Sequence, residues 1–326
     1  MGRTLARPPE VASLDQDVYA IRPPSNRSPL AAALSSSPSP SRFRMVFRVF
    51  WAMPIVTKLC TFWLTTIILA AIFADFIPKL ADPNYQGFLF GTDVTNDGQS
   101  WHHWLGTDNN SRDILSRLIY GTRVSLTVAV TAVAFGTFFG GLLGSFVGYV
   151  RGRREAAIMA SIDVILAFPA LVLLLTVVTL LGKRNLLVIS LVVGVLAIPR
   201  YARVARANAL AISRREFVAA ARAIGTKDRT ILWREVIPNV MPTVFAYALV
   251  AAAVTVVLEG TLAFLGLSVQ APTPSWGVMI NASRADLRIN IWPVIWPSLM
   301  LVFTVYSLNN VGDWFRIRTA HKAAAL

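Results

Sequence analysis

VSLTVAVTAVAFGTFFGGLLGSFVGY, Val124 to Tyr149, runs for 26 residues without one acid or base. As a helix it would reach about 39 Å at 1.5 Å per residue, more than the roughly 30 Å of hydrocarbon in a bilayer. Its glycines, Gly136, Gly140, Gly144 and Gly148, recur every fourth residue and so share one helical face. A face without side chains lets a second helix approach closely, which makes it a packing seam; a flexible gate is the other reading.

The same pattern repeats outward from this stretch. Further apolar blocks lie at about 59–78, 157–181, 186–206, 240–266 and 291–311. With 124–149 they predict an all-α, polytopic membrane protein of six transmembrane helices. Pro169 removes a backbone donor inside the third block and should kink it. The chain is 326 residues long, 55% apolar and 15% charged, with a net charge of +14. That charge does not point to nucleic acid, because most bases sit between apolar blocks and the sequence has no zinc spacing, helix-turn-helix or aromatic-basic strand pattern. Cys60 is the only cysteine, so no disulfide forms within the chain, and a buried thiol is its expected state.

Charge sets the orientation. Arg42, Arg44, Arg48 and Lys58 precede the first block, Arg151, Arg153 and Arg154 follow the second, further bases lie from Arg200 to Arg234, and Arg316, Arg318 and Lys322 close the chain. Six spans put all of these on one side, which the positive-inside rule makes cytoplasmic, with both termini inside. On the other side Lys79, Arg112, Arg117, Arg123, Lys183, Arg184, Arg284 and Arg288 are accompanied by Asp82, Asp93, Asp97, Asp108, Asp113 and Asp286. Residues 1–44, rich in Pro and Ser, read as a disordered cytoplasmic tail. Between Gly106 and Tyr120, Ser111 and Asp113 are candidate caps of a short outer helix. Ile114, Leu115, Leu118 and Ile119 would then face membrane or protein, with Arg112 and Arg117 toward water.

One segment on the basic side is too long and too charged for a turn. ISRREFVAAARAIGTKDRTILWREVIPN, Ile212 to Asn239, carries six bases and three acids. Ser213 and Glu216 have capping-box spacing, so a helix should start there. Phe217, Ala220, Ala221 and Ile224 form a narrow apolar stripe along it, and Gly225 is placed to end it through a left-handed residue. Thr226 or Asp228 would cap a second helix carrying Ile231, Leu232 and Val236, stopped by Pro238. Such a bracket could lie in the lipid interface. Its mostly alanine stripe also suits a groove in a soluble partner.

EFVAAARAIGTKDRTILWREVIPN resembles the cytoplasmic EAA loop of ABC-importer permeases, specifically the dipeptide/oligopeptide/nickel group. HWLGTDNNSRDILSRLIYGTRVSL from His103, IDVILAFPALVLLL from Ile162 and LAFLGLSVQAPTPSWGVMI from Leu262 carry the same resemblance, in order. It spans about Met45 to Trp314 and is greatest to the C-type permease of peptide transporters. Two departures stand out. Ala219 occupies the motif's Glu position, leaving Glu216 as the remaining acid, and the chain after Gly312 and Asp313 lacks the usual acidic continuation.

The resemblance implies a domain order of 45–123 for the first span and external loop, 124–314 for the permease core with coupling loop 212–239, and 315–326 for a cytoplasmic tail. It makes Glu216, Phe217, Ala220, Ala221, Arg222, Ile224 and Gly225 the coupling element, docked on an ATP-hydrolysing subunit. Asp108, Arg112, Asp113 and Arg117 would form the external mouth that meets a solute receptor. The implied partners are a second related permease in a heterodimer, two ABC ATPase subunits, an external solute-binding protein and a peptide cargo, all in or at the cytoplasmic (inner) membrane. ATP and Mg would be bound by the ATPases; nickel complexes or other small solutes are alternative cargoes.

Asp163 and Glu259 are the carboxylates nearest the apolar blocks. Each matches a position in the family, and locking of helices is favoured over proton relay. They join Gly136, Gly140, Gly144 and Pro169 as packing or gating candidates. His102, His103 and His321 do not have the pattern of a metal site. The sequence contains no G-x-x-x-x-G-K-[ST] loop, so no ATP hydrolysis is expected of this chain, nor any cofactor. A self-sufficient secondary transporter or channel is the alternative from another class; a midplane ionisable pair and an inverted repeat would mark it.

Overall fold

The computed structural model describes residues 53–77, 80, 82–86, 95, 98–101, 103–182 and 185–324, excepting the side chains of 319–324. The proposed tail at 1–44 lies outside the described residues, as do Lys79, Asp93, Asp97, His102, Lys183, Arg184 and the side chains of His321 and Lys322.

Among the described residues the regular structure is helical. α1 is Ile55–Ile72, α2 is Ile114–Val150, α3 is Arg153–Ala167, α4 is Ala170–Leu181 and α5 is Leu186–Ile212. After α5 come the short α6 at Glu216–Ala223, α7 at Asp228–Phe264, the short α8 at Trp276–Ser283 and α9 at Trp292–Ala324. Five of these helices are long and apolar enough to cross a membrane, and six spans result if α3 and α4 count as one.

The third block is not a kinked helix. α3 and α4 meet at 87°, a break in place of the expected kink. Phe168 is extended with ψ 137° and Pro169 stands as the residue before α4, where its missing donor costs nothing. Two ion pairs fasten α3 along α5: Glu155 Oε1 lies 2.5 Å from Arg206, and Asp163 Oδ1 lies 2.5 Å from Arg203. The Asp163 pair is half exposed and therefore weak on its own.

α2 also departs from the expected block. It starts ten residues earlier, at Ile114, so no separate outer helix precedes it. Asp113 caps it, its carboxylate accepting from the Ser116 amide at 2.7 Å. A π-turn at Gly136–Gly140 interrupts the α-helical winding, and all four seam glycines nevertheless face α5. A Cβ at Gly140 would stand 2.6 Å from Tyr201 Cβ and 2.7 Å from the Ile198 carbonyl oxygen. At Gly144 it would overlap the Ala202 carbonyl oxygen, and at Gly148 it would meet Ala209 Cβ at 2.9 Å. α2 and α5 therefore pack backbone against backbone, with alanines opposite glycines.

Pro238 does not stop the helix after the charged loop. α7 runs on to Phe264, 37 residues in all, because a π-turn at Leu232–Val236 rewinds the backbone just ahead of the ring, and Ile237 donates to the Leu232 carbonyl. A widened turn removes the demand for a proline amide at that point. Nearer the other end of α7, Glu259 is fully buried and accepts hydrogen bonds from Ser125 Oγ at 3.0 Å and Ser268 Oγ at 3.1 Å. It ties α7 to α2 and to the segment after α7. α1 lies along α9, where Thr57 Oγ1 donates to Asn310 Oδ1 at 2.7 Å and Trp63 Nε1 to Thr304 Oγ1 at 3.3 Å. Cys60 is buried in α1.

Candidate functional site

Where α2 and α5 end and α7 begins, Arg151, Arg153, Arg154, Arg214, Arg215, Lys227 and Arg229 gather at what we call the basic end. α6 lies there. The predicted capping box does not form: Ser213 closes α5, its hydroxyl donating to the Leu210 carbonyl at 3.1 Å and accepting from Arg151 at 2.7 Å. Arg215 precedes α6 instead, and no side chain caps it. The far end matches expectation. Gly225 has φ +79°, Thr226 N–H donates to the Ala221 carbonyl at 3.1 Å, and Gly225 N–H donates to the Arg222 carbonyl at 3.0 Å. These two bonds define a Schellman turn, which a residue with a Cβ enters at a cost.

α6 is amphipathic in a way the sequence disguises. Val218, absent from the predicted stripe, is fully buried in a cluster with Tyr149, Ala209, Ile231, Leu232 and Val236, and Ala221 packs against that cluster. Full burial of a valine is worth about 1.5–3 kcal/mol. Phe217 is 40% exposed and Ile224 is 83% exposed, with Ala220 and Glu216 exposed beside them. The stripe is thus divided: Ala221 anchors, while Phe217, Ala220 and Ile224 look outward.

A polar lock joins α6 to the bundle. Tyr149 Oη donates to Asp228 Oδ1 at 2.5 Å, Arg222 lies 3.7 Å from the same oxygen, and the Arg222 guanidinium sits 5.3 Å from the centre of the Tyr149 ring. Asp228 is the first residue of α7 and does not cap it through its side chain; nor does Thr226, since Lys227 holds that place. The Asp228 carboxylate is directed to α2 and α6 instead. Tyr149 and Asp228 lie outside the predicted set of site residues; Asp228 reads from the sequence only as a candidate cap, and the two are joined only by the fold.

Residues 140–318 match the family of binding-protein-dependent transport system inner membrane components. The glutathione transport system permease protein GsiD of Escherichia coli O6:K15:H31 is 35% identical over 290 residues, covering 87% of this chain and 94% of that protein. GsiD of Pectobacterium atrosepticum is 33% identical over 276 residues, covering 84% and 90%. The chain belongs to this family, the permease subunits of ABC importers.

At the opposite end of the permease, Asp108, Arg112, Asp113 and Arg117 do come together, but as an interior cluster. Arg112 and Arg117 do not face water; they are 5% and 2% exposed. Asp108 Oδ2 lies 2.7 Å from Arg112 and 3.7 Å from Arg117, its Oδ1 accepts from the Asn110 and Arg112 amides, and Arg117 donates to the Pro83 carbonyl at 2.8 Å. Asp113 also meets His103 Nδ1 at 3.0 Å. Ile114 and Leu118 are buried as well, because this turn packs against α8, whose Trp276 Nε1 donates to the Leu118 carbonyl at 3.2 Å. Beside it, Asp75 accepts from Arg123 at 2.9 Å and from Tyr120 at 2.7 Å. The hydrogen bond from Arg123, and then that from Tyr120, hold its carboxyl below the usual range.

Proposed function

We propose that this permease forms half of the pathway of a peptide importer, paired with a second related permease, with two ABC ATPase subunits at the basic end and a solute-binding protein beyond the Asp108 cluster. The observation that carries the reading is α6: a short helix anchored by Val218, locked through Arg222, Asp228 and Tyr149, and offering Phe217 and Ile224 outward. Two large apolar side chains exposed among cations suit a groove on a soluble partner. In this reading Glu216, Phe217, Ala220 and Ile224 touch the ATPase, Arg222 and Ala221 transmit its movement, and Gly225 sets the angle at which the chain leaves.

ATP and Mg are bound and used by the ATPases, and this chain holds no cofactor. Their closure moves α6 and shifts the two permeases between inward-open and outward-open packings, which requires contacts that differ between the states. The excess of Lys and Arg supports a cytoplasmic basic end, both termini inside and residence in the inner membrane. The Asp108 cluster braces the outer mouth from within. Glutathione, the solute in the relatives' names, supports a short peptide as cargo.

The test is reconstitution in proteoliposomes with the neighbouring permease, ATPases and solute-binding protein. Uptake of glutathione or a dipeptide that requires ATP and all the subunits is the expected result. Uptake by this chain alone, driven by an ion gradient, would overturn it.

A further inference from the structure

The 87° break between α3 and α4 opens a cavity of about 380 Å3 against α5 and α7. Its walls are mostly apolar, including Leu166, Phe168, Leu196 and Leu258, and it is interrupted by Arg200, Tyr247 and Thr255. Arg200 is the fifteenth residue of α5, so it lies about 21 Å along that helix from Leu186. Two other arginines follow it on the same helix and both are matched: Arg203 with Asp163 and Arg206 with Glu155. Arg200 is half-buried, and its side chain makes no hydrogen bond or ion pair with the described residues. Pro199, immediately before it, is buried inside the helix, and the Tyr247 ring packs edge-on against Tyr201 at 5.3 Å, which stiffens the wall.

A guanidinium at that depth is costly in a membrane protein unless it faces a water-filled path or meets an anion. We infer that Arg200 is the residue in the pathway wall that recognises a carboxylate of the passing cargo, with the Tyr247 hydroxyl as a second donor. The inference rests on the peptide reading above and goes beyond it by assigning cargo contact to a named residue. Every free peptide ends in a carboxylate, whose two oxygens match the planar fork of an arginine. The space is on the scale of small-molecule pockets, which begin at about 300 Å3. The apolar walls tolerate varied side chains, so the site selects for the anion and is indifferent to the rest.

The experiment uses the complete importer in proteoliposomes, with a labelled tripeptide and its C-terminal amide, each presented on saturated solute-binding protein. Wild type should carry the acid faster than the amide. Arg200→Gln should slow the acid by on the order of tenfold or more, as loss of a charge-assisted hydrogen bond implies, and leave the amide unchanged. Arg200→Lys should recover part of the difference, and receptor-stimulated ATP hydrolysis should persist in both variants. Arg200→Gln that keeps the wild-type preference, or slows both peptides equally, overturns the assignment. Loss of the partner permease on purification overturns it too, and gives Arg200 to an acid on that partner. Wild type that carries neither peptide defeats the peptide reading itself, a result distinct from the others.

Discussion

Gly144→Ala is the smallest change that reaches the α2–α5 seam. The added Cβ would fall on the Ala202 carbonyl oxygen and 2.7 Å from Ala205 Cβ, where ordinary contact begins at 3.4 Å. The obstacle is backbone, so no rotamer relieves it. α2 and α5 must separate by about 1 Å, and the neighbouring contacts at Gly140 and Gly148 loosen with them, since all lie on one face. Overpacking by one methyl in a close-packed interior costs about 1–3 kcal/mol. At 1.4 kcal/mol per factor of ten, that lowers the folded-to-unfolded ratio by about fivefold to a hundredfold. The assay is reversible unfolding of the purified permease in mixed micelles, followed by circular dichroism. Gly98→Ala is the control, because a Cβ there meets nothing within 4 Å; it should stay within about 0.5 kcal/mol of wild type. Equal stability of the two variants would refute the close approach of α2 and α5.

Three further predictions concern the two ends of the bundle. Asp108→Asn leaves Arg112 and Arg117 buried without their acid and should destabilise the protein by about 3–5 kcal/mol, read as lost yield of folded permease in the same unfolding assay; a stable variant with impaired uptake alone would return this cluster to receptor contact. Tyr149→Phe removes the donor to Asp228 while keeping the ring under Arg222, and should lower uptake per ATP hydrolysed in proteoliposomes without loss of ATPase recruitment; an unchanged ratio would show that the lock is idle. Gly225→Val forces a β-branched residue to φ +79° at a cost of about 1–3 kcal/mol. It should turn α6 away and reduce recovery of the ATPases, and full recovery with full uptake would contradict the role of that turn.

The spans were legible because uncharged apolar runs of this length are rare outside a bilayer, and the seam because a spacing of four survives as a face. Gly225 was legible for a similar reason: a glycine after a short apolar stripe marks a helix end locally. Arg112 and Arg117 mislead because an amphipathic turn looks the same whether its charges meet water or a buried acid; Asp108 decides, in a turn that α8, distant in sequence, holds through the bond from Asn109 Nδ2 to the Ala282 carbonyl. The early start of α2 is hidden by Arg117 and Arg123, which break the apolar run without breaking the helix. Pro238 reads as a stop only if the turn before it is α-helical, and the π-turn at Leu232–Val236 has no spacing signal of its own. Ser213 satisfied the capping-box pattern but was already engaged by Leu210 and Arg151. By sequence Arg200 belongs with the basic connection, and only the break at Pro169 gives it a cavity to face.

The central claim is that α6 is where the ATPase is received. Ile224, 83% exposed, takes a cysteine without disturbing the core, and native Cys60 is buried at 4% exposure in α1. Ile224→Cys labelled with a photoactivatable maleimide, in the assembled importer in nanodiscs, should crosslink on illumination to an ATPase subunit, identified by mass spectrometry. Label recovered on lipid, with the ATPase present in the complex but unmodified, would contradict the account.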